Sequence, residues 1–279
     1  MVTVSTMARS SSSRDISFDT DFGPARIRWD GPRATLFLGD VESSAVDTSD
    51  PRYLEFEYMQ HMDAVVSSLW GPQDRFRALH VGGAACALAC AWSSSRPNSR
   101  HVAVEVDRLL AEQVREHFPI PGAPQVKIRV GDGRAVLDGA REGSFDVIVR
   151  DAFASGVTPD HLRTVECADR ARRALTASGV YLVNCAHGGP ANARQDVAAL
   201  QEVFPFVASI QDPKVGRGGR RGNVVALASA TDVVNVDEID RALRMLALPA
   251  RITRPADLAR WVAGTPALTD SQVGYPQAD

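Results

Sequence analysis

From about Arg77 onward, short apolar runs rich in β-branched residues alternate with longer segments whose apolar positions recur at helical spacing. The pattern predicts strands at Arg77–Val81, His101–Glu105, Gln125–Val130, Phe145–Arg150 and Gly179–Asn184. Between them it predicts helices near Ala84–Ser94, Arg108–His117, Arg134–Gly139 and Pro159–Thr176. Runs such as Val180-Tyr-Leu-Val183 are almost continuously apolar, as strands covered on both faces should be. A further helix, Ala191–Val203, leads to two short strands, Phe206–Gln211 and Asn223–Ala228. The glycine-rich connection Asp212–Gly222 is too short for a crossover helix, so those two strands should run antiparallel to each other. Upstream, Ala25–Trp29 and Ala34–Leu38 flank a Gly-Pro turn and read as a β-hairpin. Asp50–Leu69 turns helical through Tyr53, Phe56, Met59 and Met62–Val66, and Asp237–Leu246 and Pro255–Ala263 read as amphipathic helices.

Alternating strands and helices make this an α/β chain. A mostly parallel seven-stranded sheet closed by an antiparallel C-terminal hairpin resembles the Rossmann-like class I methyltransferase fold, here with a small N-terminal β-hairpin element. The expected organisation is a disordered tail over residues 1–20, the small β element over 21–50, the methyltransferase-fold domain over 51–235 and a helical extension over 236–279.

Composition narrows the classes of function. Hydrophobic residues are 44% and charged residues 23% of the 279, which is ordinary for a folded domain. A net charge of -3 gives no general attraction to nucleic acid or to anionic membrane, so neither partner is expected. The Ser-rich start lacks the apolar core of a signal peptide, and no apolar run approaches a bilayer's thickness, so a cytoplasmic location is expected. Cys86, Cys90, Cys167 and Cys185 include no Cys-x-x-Cys pair, and the six histidines show no ligand spacing; no metal is assigned.

The candidate chemistry lies where strands end. Gly82 and Gly83 end the first strand of the series and permit close approach of a ligand, but the turn Gly82-Gly-Ala-Ala-Cys-Ala87 is not a Gly-x-Gly-x-x-Gly dinucleotide fingerprint. Glu105 ends the next strand and is placed to accept both hydroxyls of a ribose. Asp132, followed by Gly133, ends the third; it can accept from an adenine amino group or cap the following helix. Three such tips would cradle an adenosine with no phosphate to neutralise. The absence of Lys and Arg from the turn suits a nucleoside sulfonium, which is itself a cation.

With Leu79-His-Val-Gly-Gly83, Val104-Glu-Val-Asp107, Gly131-Asp-Gly-Arg134 and Phe145-Asp-Val-Ile-Val-Arg-Asp151 in order, the chain resembles the spermidine synthase family of aminopropyltransferases from about Ala34 to Ala228. The resemblance implies polyamine chemistry, with S-adenosylmethionine or its decarboxylated form as co-substrate and a small amine as acceptor. It also implies Asp151 as the base that deprotonates the attacking amine, a homodimer, and Gly82, Gly83, Glu105, Asp132 and Gly133 around the nucleoside. On the acceptor side it points to Glu57 and to Ser43, which stands where the family carries glutamine. Two departures fall there as well. Ala85 replaces an acid of the glycine turn, and Asp151-Ala-Phe-Ala154 lacks the second carboxylate of an Asp-Ser-Ser-Asp run.

Asn184 and His187, at the end of the fifth strand, are further acceptor-side candidates, and Arg217, Arg220 and Arg221 could grip an anionic substrate at the hairpin tip. Three readings stay open. The first is a transferase of an aminopropyl or methyl group acting on an acceptor other than a plain diamine. The second is a nucleoside-binding or interaction protein that kept the fold and lost the chemistry, its site filled by Phe56, Trp70 or Phe153. The third is a genuine spermidine synthase whose anchors come from Asp40, Glu42 or Glu57.

Overall fold

The structure, a computed structural model, describes residues 14–154, 156–215, 220–231 and 234–276. Its main body is an eight-stranded sheet. β5 (Arg77–Val81), β6 (Arg100–Glu105), β7 (Val126–Val130), β8 (Phe145–Arg150) and β9 (Leu175–His187) pair in parallel. β11 (Gly222–Ser229) lies between β9 and β10 (Phe206–Gln211) and is antiparallel to both, so the expected reversal is present. The sheet has eight strands rather than seven because β12 (Arg251–Thr253) pairs with β10 at the edge. The order across it is β12-β10-β11-β9-β8-β5-β6-β7. Residues 236–279 are therefore not only a helical extension; they supply a strand of the main sheet.

Apolar residues on both faces of the sheet pack under helices, except at the edge strand β7, where Lys127, Arg129 and Val130 are exposed. One core joins its Val147, Val149, Leu182 and Val225 to α1 (Glu57–Leu69), α2 (Ala87–Ser95), α3 (Arg108–His117) and α7 (Val236–Arg244). The other joins Leu79, Ile148 and Val183 to α4 (Gly133–Asp138), α5 (Val165–Ala174), α6 (Ala193–Val203) and α8 (Pro255–Val262). A one-residue alternation within each strand feeds the two cores, which is why these strands read as continuous apolar runs. Among the described residues no helix is long and apolar enough to cross a membrane.

Ahead of this body stands a four-stranded antiparallel sheet: β1 (Arg14–Thr20), β2 (Gly23–Asp30), β3 (Arg33–Leu38) and β4 (Val41–Asp47). The hairpin around Gly31-Pro32 is as expected. The disordered tail is not, since Arg14–Thr20 is paired along its whole length to Gly23–Trp29; residues 1–13 lie outside the described residues. β1 presents only Ile16, Phe18 and Thr20 as partly covered, a weak alternation among polar residues. The turn after β1 fixes the small sheet to the body. Asp21 accepts from the N–H groups of Arg108 and Leu109 at 2.7 and 3.2 Å, and its own N–H donates to Asp107 at 3.1 Å. A carboxylate at a helix N-terminus is matched to unpaired amides there.

Beneath α2 a buried hydrogen-bonded chain runs through two histidines. Ser99 Oγ donates to Arg96 O at 2.6 Å, so it accepts from His101 Nε2 at 2.8 Å. His101 Nδ1 is thereby left to accept from His80 Nε2 at 3.1 Å, which makes the His101 ring neutral. Burial depresses His80 to about 3 and His101 well below the ordinary histidine value, and it takes His61 on α1 to about 4 against the pull of Asp212. The folded values lie below the unfolded one, so acid protonates the unfolded chain first. Stability from these rings is complete above about pH 6.5 and is lost as pH falls toward 4, by about 2 kcal/mol per site at pH 5. Urea unfolding across pH 5 to 6 should show it. His61→Leu is expected to flatten that slope by about 1 kcal/mol per pH unit, and an unchanged slope would contradict the assignment.

Candidate active site at the strand tips

The ladder of the parallel strands continues one residue past their ends and draws the candidate residues into one row. Asp151 N–H donates to Val81 O at 2.8 Å, Gly82 N–H to Val104 O at 3.1 Å and Gly131 N–H to Glu105 O at 2.9 Å. Asp151, Gly82, Glu105 and Asp132 thus share the carboxyl edge of β8, β5, β6 and β7, where open α/β sheets bind ligands.

Glu105 points into the glycine turn. Its Oε2 accepts from Gly83 N–H at 3.3 Å and Ala84 N–H at 3.0 Å, while Oε1 accepts from Asp107 N–H at 3.1 Å. Burial raises its pKa, opposed by those backbone bonds. Here the expectation of a carboxylate receiving both ribose hydroxyls changes. Oε2 already has two donors, so Oε1 is the oxygen with capacity to spare. The turn's amides are matched to a carboxylate, which leaves a phosphate no reason to sit there.

The glycines serve the chain's own packing more than a ligand. A Cβ on Gly82 would stand 2.1 Å from Asp151 O, and one on Gly133 would stand 2.4 Å from Val81 Cγ1; Gly83 has Glu105 Cβ at 3.4 Å. Gly82 is therefore what lets the Asp151 segment lie against the glycine turn. Farther along, Ala84 and Cys86 hold positive φ of 38° and 57°, a conformation costly for residues with a Cβ. Ala84→Gly is expected to stabilise the protein by about 0.5 to 1 kcal/mol in denaturant unfolding. Cys86→Gly should give no such gain, because its side chain packs against Ala89, Cys90 and Ala103. Ala85, fully buried, lines a cavity of about 250 Å³ with Val46, Cys90 and Phe118. The four cysteines are free and buried.

Asp132 performs the capping role: Oδ1 accepts from Ala135 N–H at 2.9 Å as N-cap of α4. Its Oδ2 lies 3.0 Å from His161 Nε2, and that bond leads the factors holding the carboxyl below its ordinary pKa. His161 was absent from the sequence-based candidates.

Asp151 is gripped from two sides. Tyr58 Oη donates to Oδ2 at 2.8 Å and Asn184 Nδ2 to Oδ1 at 2.9 Å. Burial raises the Asp151 pKa, and the bonds from Asn184 and Tyr58 work against it. Asn184 is 1% exposed, and its Oδ1 has no hydrogen-bond partner. Tyr58, missed in the sequence, is buried on α1 with a ring stacked on Phe56 at 5.9 Å. A buried tyrosine hydroxyl needs a partner, which is the signal that was available.

The remaining acceptor-side expectations fall elsewhere. Glu57 is exposed at the start of α1, one residue from the side chain that reaches Asp151. Ser43 sits at the bulge of β4, where Leu36 pairs Ser44 and Phe37 pairs Glu42, and its hydroxyl donates to Val41 O. Asp40 and Glu42 are exposed. His187 Nδ1 accepts from Ala193 N–H and its ring packs on Trp261. Arg220 lies 3.8 Å from Asp212 and Arg221 is exposed; Arg217 lies outside the described residues. Of the three aromatic residues named for a filled site, Trp70 packs on Phe76, Phe153 is 37% exposed, and Phe56 stacks on Tyr58, whose hydroxyl holds Asp151. Among the described residues no group of three or more His, Cys, Asp or Glu side chains could hold a metal ion.

No protein-family model matches the sequence. The solved structure of a probable spermidine synthase from Corynebacterium glutamicum ATCC 13032 is 32% identical, with a TM-score of 0.84, over 91% of this chain and 96% of that one. A spermidine synthase solved in complex with the transition state analogue AdoDATO shares the fold at 17% identity, with a TM-score of 0.56, over 94% of this chain and 87% of that one. Among curated proteins, the polyamine aminopropyltransferase of Vibrio vulnificus (strain CMCP6) is 24% identical over 203 residues, 72% of this chain and 64% of that protein's length. The chain belongs to the spermidine synthase family.

Proposed function

We propose that the protein transfers an aminopropyl group from decarboxylated S-adenosylmethionine to a small amine, with Asp151 as the base. One observation carries the reading: a carboxylate held by Tyr58 and Asn184 stands on the same strand-tip row as the adenosine-type residues Gly82, Glu105 and Asp132. Glu105 Oε1 would take a ribose hydroxyl and Asp132 the adenine amino group. The relatives named for aminopropyl transfer, and the family member solved with AdoDATO, support the same assignment.

In this reading the amine nitrogen attacks the carbon bonded to the sulfonium sulfur. The C–N bond forms, the C–S bond breaks with its electron pair passing to sulfur, and the proton leaving nitrogen goes to Asp151. Burial raises the affinity of Asp151 for that proton, and the two fixed donors keep the carboxylate plane in one orientation. Asn184 Nδ2 donates to Asp151 Oδ1 at 2.9 Å, which sets the orientation in which the carboxylate meets the incoming amine. Holding nucleophile and electrophile together accounts for much of the acceleration.

Titration calorimetry with S-adenosylmethionine and its decarboxylated form tests the donor, and release of 5′-methylthioadenosine with a panel of amines tests the transfer. Tighter binding of the decarboxylated form with amine-dependent release supports the proposal. Preference for S-adenosylmethionine moves it to methyl transfer, and binding of neither removes it.

A further inference from the structure

The segment after α8 returns to the strand-tip row. Val165 N–H donates to Leu268 O at 2.9 Å, and α9 (Asp270–Val273) opens on a capping box made by Thr269 and Gln272. Asp270, 2% exposed, accepts from Arg134 Nη1 and Nη2 at 2.9 and 2.6 Å and from Thr164 Oγ1 at 2.7 Å. Its N–H donates to Glu166 at 2.9 Å. These bonds anchor the segment on α4 and α5. Gly274, at φ 69°, then turns the chain so that Tyr275 lies over His161, ring centroids 5.5 Å apart and planes 6° from parallel. The Arg134 guanidinium is 4.5 Å from the same ring, and the Tyr275 hydroxyl makes a long contact of 3.4 Å with Asp138.

One face of the Tyr275 ring thus covers the Arg134 guanidinium that anchors the segment, and the same ring also lies parallel to His161. His161 sits in a single 3-10 turn, Asp160–Leu162, with its side chain 27% exposed. Such an imidazole would sample several orientations unless something lay flat against it. Tyr275 does so, and the ring it pins donates from Nε2 to Asp132 Oδ2. With Ala135 N–H on Oδ1, both oxygens of Asp132 are fixed, and the plane of the carboxylate is set. A carboxylate so set presents its remaining lone pairs in one direction, as recognition of an exocyclic amino group demands.

We propose that Tyr275 is a positioning residue for base recognition: stacked on His161, it fixes Asp132 to accept the amino group of adenine. The proposal rests on the adenosine assignment made above. Calorimetry with 5′-methylthioadenosine and its 6-oxo counterpart, 5′-methylthioinosine, tests it on the wild type, Tyr275→Ala, Tyr275→Phe and His161→Ala, with a melting temperature for each. Tyr275→Ala and His161→Ala should each weaken the adenosine ligand about 5- to 20-fold and narrow its advantage over the inosine. Tyr275→Phe keeps the flat ring and should restore both. Wild-type affinity in a folded Tyr275→Ala overturns the inference alone, as does equal weakening of both nucleosides, which marks a loosened fold. If Tyr275→Ala does not fold, Tyr275→Leu, which keeps apolar cover over Arg134 but lays no flat ring on His161, decides by the same criteria. A wild type that binds neither nucleoside overturns the adenosine assignment and this inference with it.

Discussion

Asp151→Asn is expected to lower turnover by about two to four orders of magnitude, the range a positioned general base supplies, while the donor dissociation constant stays within about twofold of wild type. The asymmetry follows from the site. Asp151 touches the glycine turn through its backbone carbonyl beside Gly82, which the substitution leaves in place, whereas the proposed proton acceptor is the side chain alone. Tyr58 and Asn184 both donate to that side chain, so an amide there faces one donor with its own N–H group. Single-turnover release of 5′-methylthioadenosine gives the rate and calorimetry gives the affinity. A variant keeping more than a tenth of wild-type turnover would remove Asp151 as the base. Tyr58→Phe supplies the companion result. Removing a bond that lowers the Asp151 pKa lets it rise further, so the acid limb of the rate profile should move to higher pH, because the base must be ionised to act.

The strand tips were legible because each acid follows an apolar run, and such runs mark their own ends. α3 is the clearest case: Asp107 caps it through Leu110 N–H and basic residues close its last turn, so both boundaries are written locally. Elsewhere the local signal contradicts the tertiary outcome. Leu175–Gly179 carries little strand preference, yet Leu175 pairs Phe145, so β9 starts where a helix was expected to continue. β1 and β4 are polar enough to pass for a tail and a loop; their pairing with β2 and β3 makes them strands.

The acceptor side was less legible for a different reason. Tyr58 and Asp151 meet across 93 residues, and nothing at either position announces the other. His161 and Tyr275 are likewise joined only by the packing of the segment after α8 on α4 and α5. The family pattern drew attention to Glu57, but the helix turns that side chain to solvent and its neighbour inward. One residue along a helix is about 100° of rotation, enough to exchange a substrate ligand for a surface charge.

Asp196→Ala should cost about 3 to 5 kcal/mol of stability. Arg150 and Asp196 are 2% and 5% exposed and joined at 2.7 Å, with Arg163 bonded to the same carboxylate from its other side. Removing Asp196 leaves the Arg150 guanidinium buried with two carbonyl acceptors, Leu162 O and Asn184 O, and an Nε that already has no partner. An unpaired buried cation is the expensive product; the pair itself need not be stabilising, since desolvation offsets much of its attraction. Urea unfolding separates these two terms. The single variant should unfold at far lower denaturant, and Arg150→Met combined with Asp196→Leu should recover most of the loss. A single variant within about 1 kcal/mol of wild type would show the guanidinium reaching water. The effect should extend to chemistry, because Arg150 directly precedes Asp151 and holds the backbone of Asn184, so the pair sets the position of the proposed base and of the amide that holds it. The repacked double variant is therefore expected to regain stability but not full turnover, since a thioether in place of the guanidinium has no N–H to donate to Asn184 O.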